Sequence, residues 1–276
     1  MMGPSHALSG AAVWLAGSWA LDQFAGYEQA PLTIAVGAAV CAGGALLPDL
    51  DMSGKVIRNQ GGATVAHTFG VFSLFVAEVI EKVSLAVYKL TCLRHDPDRE
   101  NGHRTLTHTL PFAFLVGWGT TALAAKFGKW AVIPILFVML GLALRGLFHR
   151  WAERAGWIIV TLVSGGAAYY TFLALPPGRG YPMLGVAVGV GCVVHLLGDF
   201  VTSAGVPILW PIPTRGRRMW RMLGVPNGIS VQVGGGFEVF FLRTVFVAIA
   251  LTAGIALVGP ALVNKFNAGL TLLGLG

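Results

Sequence analysis

Apolar runs of about 20 residues, the length needed to cross a bilayer, recur along this chain and end in short polar clusters. The pattern predicts spans at roughly 7–21, 30–47, 106–125, 130–148, 156–175, 183–203 and 238–260. The first run is short, yet the residues before it carry neither the basic region nor the small-residue cleavage site of a signal peptide, so it is expected to be retained. The segment 64–92 is apolar but carries Glu78, Glu81, Lys82 and Lys89 at helical spacings. It predicts an amphipathic helix lying in the interface or against the bundle.

Connectivity favours the same placement. If 30–47 ends on the side where Asp49 and Asp51 emerge, and 106–125 starts on that side with His103 and His108, the residues between must return to the side they left. One spanning helix cannot do that. With no internal repeat or low-complexity segment in view, the expected fold is all-α. It is a polytopic bundle of about seven spans forming one integral membrane domain over 1–276. A cytoplasmic insertion at 52–105 and a cytoplasmic basic loop at 204–237 complete the expected layout, and 261–276 is too short to assign.

Composition strengthens the membrane reading. Apolar residues make up 55% of the chain and charged residues 11%, with a mean hydropathy of +0.72; soluble domains carry charge at about 25%. The net charge of +7 is unevenly spread. Seven crossings put Lys55, Arg58, Lys82, Lys89, Arg94, Arg99, Arg104, Arg145, Arg150, Arg154, Arg215, Arg217, Arg218, Arg221 and Arg243 on one face, against Lys126, Lys129, Arg179 and Lys265 on the other. Positive loops stay in the cytoplasm, so the richer face is expected there. Arg215, Arg217, Arg218 and Arg221, interleaved with Trp210 and Trp220, resemble an interfacial belt facing anionic headgroups, and no nucleic-acid partner is expected. Cys41, Cys92 and Cys192 stand far apart in no ligand spacing and are expected to be inert.

The polar clusters fall on that same face. His195 and Asp199 are four apart, on one side of the sixth span, where an acid in an apolar helix needs a strong reason to be ionised. Metal ligation supplies one; a hydrogen bond to a neighbouring helix is the plainer alternative. Leu47-Pro48-Asp49-Leu50-Asp51 stops the second span at its proline and turns two aspartates into a loop. One could ligate a metal while the other bridges to a second metal, orients an imidazole or acts as a base; a solvated cap is the bland reading. His103 and His108, five apart, can converge if Thr105 or Thr107 caps the next helix, and Arg104 between them suits an oxyanion or phosphate oxygen. His6 precedes the first span, and Glu238 follows Gly234-Gly235-Gly236-Phe237 at the start of the last. His67, His95 and His149 lack acidic neighbours at useful spacing, apart from the loop pair His95-Asp96, and are left out.

Together, His6, the Leu47–Asp51 motif, the His103-Arg104-Thr105-Leu106-Thr107-His108 motif, His195-x-x-x-Asp199 followed by Gly205 and Pro211, and the late Glu238 resemble the pattern of YdjM-like inner-membrane metal-dependent hydrolases, over about residues 3–240. The resemblance implies a bacterial inner-membrane protein with a metal-dependent hydrolase centre, distantly similar to zinc-dependent phospholipase C and P1-type nucleases. Carried over by motif position, the metal or catalytic residues are His6, Asp49, Asp51, His103, His108, His195, Asp199 and Glu238. Thr109 stands where a serine often follows the second histidine, and the gap between the Asp and His motifs is long.

The imidazole and carboxylate set suits zinc, with manganese or iron as alternatives, and is large enough for one to three ions. The expected chemistry is hydrolysis by a metal-activated water. Asp51 or Glu238 would accept the proton and Arg104 would steady developing negative charge. No serine or cysteine is placed with a histidine base, so no nucleophilic side chain is assigned. The basic rim and interfacial depth point to a phosphoester of a phospholipid or lipid-linked substrate, with the active site facing the cytoplasm. A metal-ion or proton transporter or channel is the alternative from another class, and a membrane scaffold with a structural metal is a third. The oligomeric state has no signature in the sequence.

Overall fold

A computed structural model describes residues 1–52, 65–175, 180–213 and 217–272. Among these the chain forms eight α-helices and no strand. They are α1 (Gly3–Ala25), α2 (Pro31–Gly44), α3 (Val71–Thr91), α4 (Leu110–Phe127), α5 (Lys129–Leu147), α6 (His149–Ala174), α7 (Gly180–Phe200) and α8 (Arg243–Leu272). Single turns of tighter or wider helix carry polar motifs: 3-10 turns at Pro48–Asp51 and Leu106–His108, and a π-helical turn at Phe237–Leu242 leading into α8. The all-α membrane bundle expected from the sequence is the fold found. Lys55, Arg58, Arg179 and Arg215 of the basic inventory lie outside the described residues, as do residues 53–64 of the expected insertion.

Among the described residues, six helical segments are long and apolar enough to cross a bilayer: Pro31–Asp51, Leu110–Phe127, Lys129–Leu147, His149–Ala174, Tyr181–Phe200 and Phe237–Gly259. The expected span at 7–21 lies within α1, whose 23 residues reach about 34 Å at the helical rise. It is not among the six, since Ser5, His6, Ser9 and Ser18 lower its hydropathy, and these polar residues are buried against the bundle. The amphipathic expectation for 64–92 corresponds to α3, whose Glu78–Lys82 ion pair lies on an exposed face while Ser73, Ala77, Glu81, Ser84 and Tyr88 are buried.

Local sequence explains where these helices start and stop. Proline opens α1, α2 and α4 within the first turn, where its missing N–H is not needed. Thr109 caps α4, its hydroxyl accepting from Phe112 N at 3.3 Å. Gly156, at φ +79°, interrupts α6, so the apolar part begins close to where the sequence placed its span. The last helix continues to Leu272, well beyond the expected limit at 260.

In the packing, α2 is central, touching α1, α5 and α7; α4 lies along α7, α6 along α5, and α8 along α1. The core joins Trp14, Val40, Leu46, Leu136, Leu142, Val188 and Leu196. The α2–α7 crossing is unusually close. A Cβ on Gly44 would stand 2.8 Å from Val188 O, and one on Gly191 would meet the Cys41 carbonyl and Ala45 N. Small residues at a membrane crossing let backbones approach in this way. Outside the bundle, α3 packs on both 3-10 turns, so the amphipathic helix braces the two loops that carry aspartates and histidines.

Candidate metal centre

Four helix ends, two of them through 3-10 turns, converge at one end of the bundle. The Pro48–Asp51 turn follows α2, the Leu106–His108 turn precedes α4, His195 and Asp199 occupy the last turns of α7, and His6 lies in the first turn of α1. Two groups of ligand atoms gather there, each within 4.8 Å of one another: His6, His195 and Asp199 in one, Asp49, His103 and His108 in the other. The two groups face each other. His195 Nε2 and His108 Nε2 are 3.2 Å apart. Asp49 Oδ1 lies 3.7 Å from each of them, and Asp199 Oδ2 lies 3.7 Å from His108 Nε2 and 3.8 Å from His195 Nε2.

The close approach at α2–α7 sets the first of these imidazoles. His195 Nδ1 donates to Ala45 O at 2.8 Å, which leaves the Nε2 lone pair facing inward. His108 is set by a relay. Thr107 Oγ1 donates to Asp51 Oδ2 at 2.5 Å and therefore accepts from His108 Nδ1 at 2.9 Å, so Nε2 again points into the centre. Two Nε2 acceptors at 3.2 Å, flanked by two carboxylates and almost wholly buried, require a positive charge between them. A tetrahedral ion with bonds of about 2.0–2.1 Å has edges of about 3.3–3.4 Å. The measured separations of 3.2–3.8 Å therefore fit a divalent ion. Without one, a proton answers the same need. Burial alone depresses the His108 pKa, but the surrounding carboxylates, Asp51 first, outweigh it and push the imidazole up to about 9.

His6 and His103 flank this inner set. The His6 ring stacks on that of His195 with centroids 3.9 Å apart, its Nε2 lies 3.3 Å from Asp199 Oδ1, and its buried Nδ1 has no hydrogen-bond partner. Gly198 makes room for it, since a Cβ there would lie 3.0 Å from His6 Nδ1 and Cε1. The Met1 amino nitrogen also reaches Asp199 Oδ1, at 2.5 Å. His103 gives Nδ1 to Asp51 Oδ1 at 2.7 Å, freeing its Nε2.

Two acids expected as ligands and proton acceptors do different work in this geometry. Asp51, fully buried, accepts from His103 Nδ1, from Thr107 and from the Arg104 amide at 3.2 Å, so its oxygens orient the imidazoles. That was one of the roles the sequence left open. Glu238 accepts from Met2 N at 2.6 Å and Gly234 N at 2.8 Å, tying the first turn of α1 to the start of α8. Neither belongs to the two groups of gathered ligand atoms. Arg104, held at φ +56°, places Nη2 2.9 Å from Asp199 Oδ2 and Nη1 3.4 Å from Gly205 O. His67, His95 and His149 lie outside both groups.

Several supporting groups had no reading in the sequence. Glu81 of α3 accepts the Gly102 amide at 2.8 Å and fixes the loop before His103, while Arg99 donates to His103 O at 3.0 Å. Asp96 accepts from Met219 N and Trp220 N and ties that loop to the basic segment after α7. The buried face of α3 was the signal for Glu81; the Ala45 carbonyl has no side-chain signature at all. The three Cys sulfurs take no part, and Cys41 and Cys192 are buried as free thiols.

Comparison with curated proteins finds no match, and comparison with solved structures finds none. A family model described as YdjM inner membrane protein matches residues 1–263, nearly the whole chain and every residue of the centre. With membrane-crossing helices and a clustered His/Asp centre beside that match, the chain belongs to the YdjM inner membrane protein family.

Proposed function

We propose that this protein is a metal-dependent hydrolase of the membrane interface, cleaving a phosphoester of a phospholipid or lipid-linked substrate. The observation that carries the proposal is the inner set of His108, His195, Asp49 and Asp199, whose donor atoms stand 3.2–3.8 Å apart with both imidazole Nδ1 atoms already engaged. These four would hold one divalent ion, with zinc the best fit to mixed imidazole and carboxylate donors, and water would bind where one carboxylate yields its position. His6 and His103 extend the set on either flank. When bound, such an ion supplies Lewis acidity, polarising a phosphoryl oxygen and acidifying water.

The side chains divide the remaining work. Asp51 holds His103 and His108 in the tautomers that present Nε2. Asp49, at 14% exposure the most open acid of the inner set, is the carboxylate placed to yield its position and to take the proton from water. Arg104 carries five N–H donors, of which Asp199 and Gly205 engage two, so donors remain for an anionic oxygen. Those free donors suit a phosphate oxygen, which favours a substrate with a phosphate group over a purely structural metal. Fifteen of the nineteen Lys and Arg residues fall on the face of the centre in a seven-crossing topology, which supports a cytoplasmic orientation. Transport sites ordinarily lie near the midplane between repeats, whereas these donors gather at helix ends.

The test pairs metal content with activity. Detergent-purified wild type, His195→Ala and Asp199→Asn are exposed to zinc or manganese, freed of excess ion, assayed for bound metal and incubated with a panel of lipid phosphoesters. Wild type is expected to retain at least one equivalent and release a product, and both variants to lose both properties. A metal-free wild type, or metal without hydrolysis of any lipid phosphoester, overturns the proposal.

A further inference from the structure

The outer surface of the bundle carries an apolar groove of about 640 Å³ between α1, α4 and α7. Its floor is built from small residues, Ala113 and Gly117 on α4 and Gly185 and Gly189 on α7, while Phe114 and Trp118 form a wall. A second apolar cavity of about 350 Å³ shares Val13, Val194 and Leu197 with the first and continues to Met1 and Gly198. Gly198 adjoins Asp199 and lies against the His6 ring. The two cavities therefore share a wall and read as one apolar channel running from Gly198, one residue from Asp199, along the outer side of the bundle. From Gly198 to Gly185 the path along α7 covers about 20 Å at the helical rise, against a hydrocarbon core of about 30 Å.

A cation stands near the Gly198 end of this channel. Leu242 and Phe246 line the second cavity, and Arg243, next to Leu242 in the chain though outside the lining, donates to Ser5 Oγ at 3.0 Å and approaches the Met2 sulfur at 3.7 Å, both uncharged partners. Ser5 adjoins His6. A guanidinium held by neutral groups, next to a site that takes a cation and at the head of an apolar channel, matches an anionic headgroup on a long chain.

We propose that this channel binds the hydrocarbon chain of a single-phosphate membrane amphiphile, with its phosphate between Arg243 and the metal centre. The proposal deepens the hydrolase reading and rests on it for the headgroup; the chain site stands on the channel itself. Acyl and prenyl chains share the chemistry required.

The test needs no turnover. In a Cys92→Ser background, Val190→Cys places a thiol in the groove, and Ile255→Cys, on the exposed side of α8, serves as a control outside it. Each protein is loaded with zinc, held in dodecyl maltoside micelles, whose detergent carries no phosphate, and labelled with a maleimide. Hexadecylphosphonate, whose C–P bond resists hydrolysis, or methylphosphonate is the competitor. At about ten times its dissociation constant, hexadecylphosphonate is expected to slow labelling at position 190 by about tenfold while leaving position 255 unchanged, and methylphosphonate is expected to do nothing. No slowing at 190, equal slowing at both positions, or equal protection by methylphosphonate overturns the proposal; Val193→Cys repeats the measurement if Val190→Cys does not fold. Bound zinc is measured on the same samples. Zinc without protection sinks the chain site alone, whereas protection without zinc leaves the chain site standing and sinks the hydrolase reading.

Discussion

Replacing Asp51 by asparagine separates a residue that orients ligands from one that binds the ion. The carboxylate is fully buried and receives His103 Nδ1 at 2.7 Å, Thr107 Oγ1 at 2.5 Å and the Arg104 amide at 3.2 Å, with His108 Nδ1 3.4 Å away. Asparagine keeps the shape and one acceptor oxygen, but its amide nitrogen can only donate. Either His103 Nδ1 or Thr107 then faces a donor. If Thr107 loses its acceptor, the relay that fixes the His108 tautomer is lost with it. The negative charge that favours imidazoles as ligands also disappears.

Orienting carboxylates of this kind are worth about 10- to 100-fold in metal affinity, or about 1.4 to 2.7 kcal/mol. Competition titration against a chromophoric zinc chelator measures it directly, with Asp49→Asn as the comparison. Asp51→Asn is expected to weaken zinc by one to two orders of magnitude while keeping a full equivalent at saturation. Asp49→Asn, losing a donor 3.7 Å from both inner imidazoles, is expected to fall further. Unchanged affinity in Asp51→Asn refutes the orienting role. Loss greater than that of Asp49→Asn would instead make Asp51 a ligand, against the geometry described above.

Three further outcomes are expected. Gly198→Ala puts a methyl 3.0 Å from the His6 ring and should cost about 1–3 kcal/mol of stability together with weaker zinc binding; equal melting temperature and affinity to wild type would remove His6 from the site. In metal-free protein the raised His108 pKa contributes stability that is complete below its ordinary value of 6.5 and fades as pH rises through about 9. Thermal scans from pH 6 to 10 should therefore show a falling melting temperature that added zinc flattens, and a flat metal-free profile would contradict it. Glu81→Ala leaves the buried Gly102 amide without its acceptor, costing about 1–3 kcal/mol. Hydrogen exchange should rise at 100–105 while the cores of α2 and α7 stay protected.

Much of this architecture is legible in one dimension because membrane helices declare themselves by composition and polar residues among them are expensive. The spans, the amphipathic α3 and the placement of His6, Asp49, Asp51, His103, His108, His195, Asp199 and Glu238 near one face follow from apolar periodicity and connectivity, while their grouping into one site rests on the family resemblance. Span count is less legible at α1, where buried Ser5, Ser9 and Ser18 lower the hydropathy of a helix that nonetheless packs on α2, α7 and α8. The division of labour among the acids is not legible at all. Asp49 and Asp51 stand two positions apart, and a 3-10 turn sends one toward the inner imidazoles and the other behind them. Glu238 looks equivalent in sequence, but backbone amides claim both its oxygens.

The same helix terminations that expose these acids also explain why the centre can be rigid while lying at a membrane surface. An ion site needs donors fixed in place, yet loops at a bilayer interface are ordinarily mobile. Here His195 is fixed by the Ala45 carbonyl, which the Gly44 and Gly191 contact brings within 2.8 Å, so one ligand is referenced to the packed core of the bundle. The two 3-10 turns are then referenced to each other through Asp51 and braced from outside by α3. Opening the α2–α7 crossing would therefore disturb the centre from a distance. The first consequence would be loss of the His195 tautomer, and with it the inward Nε2 lone pair on which the inner set depends.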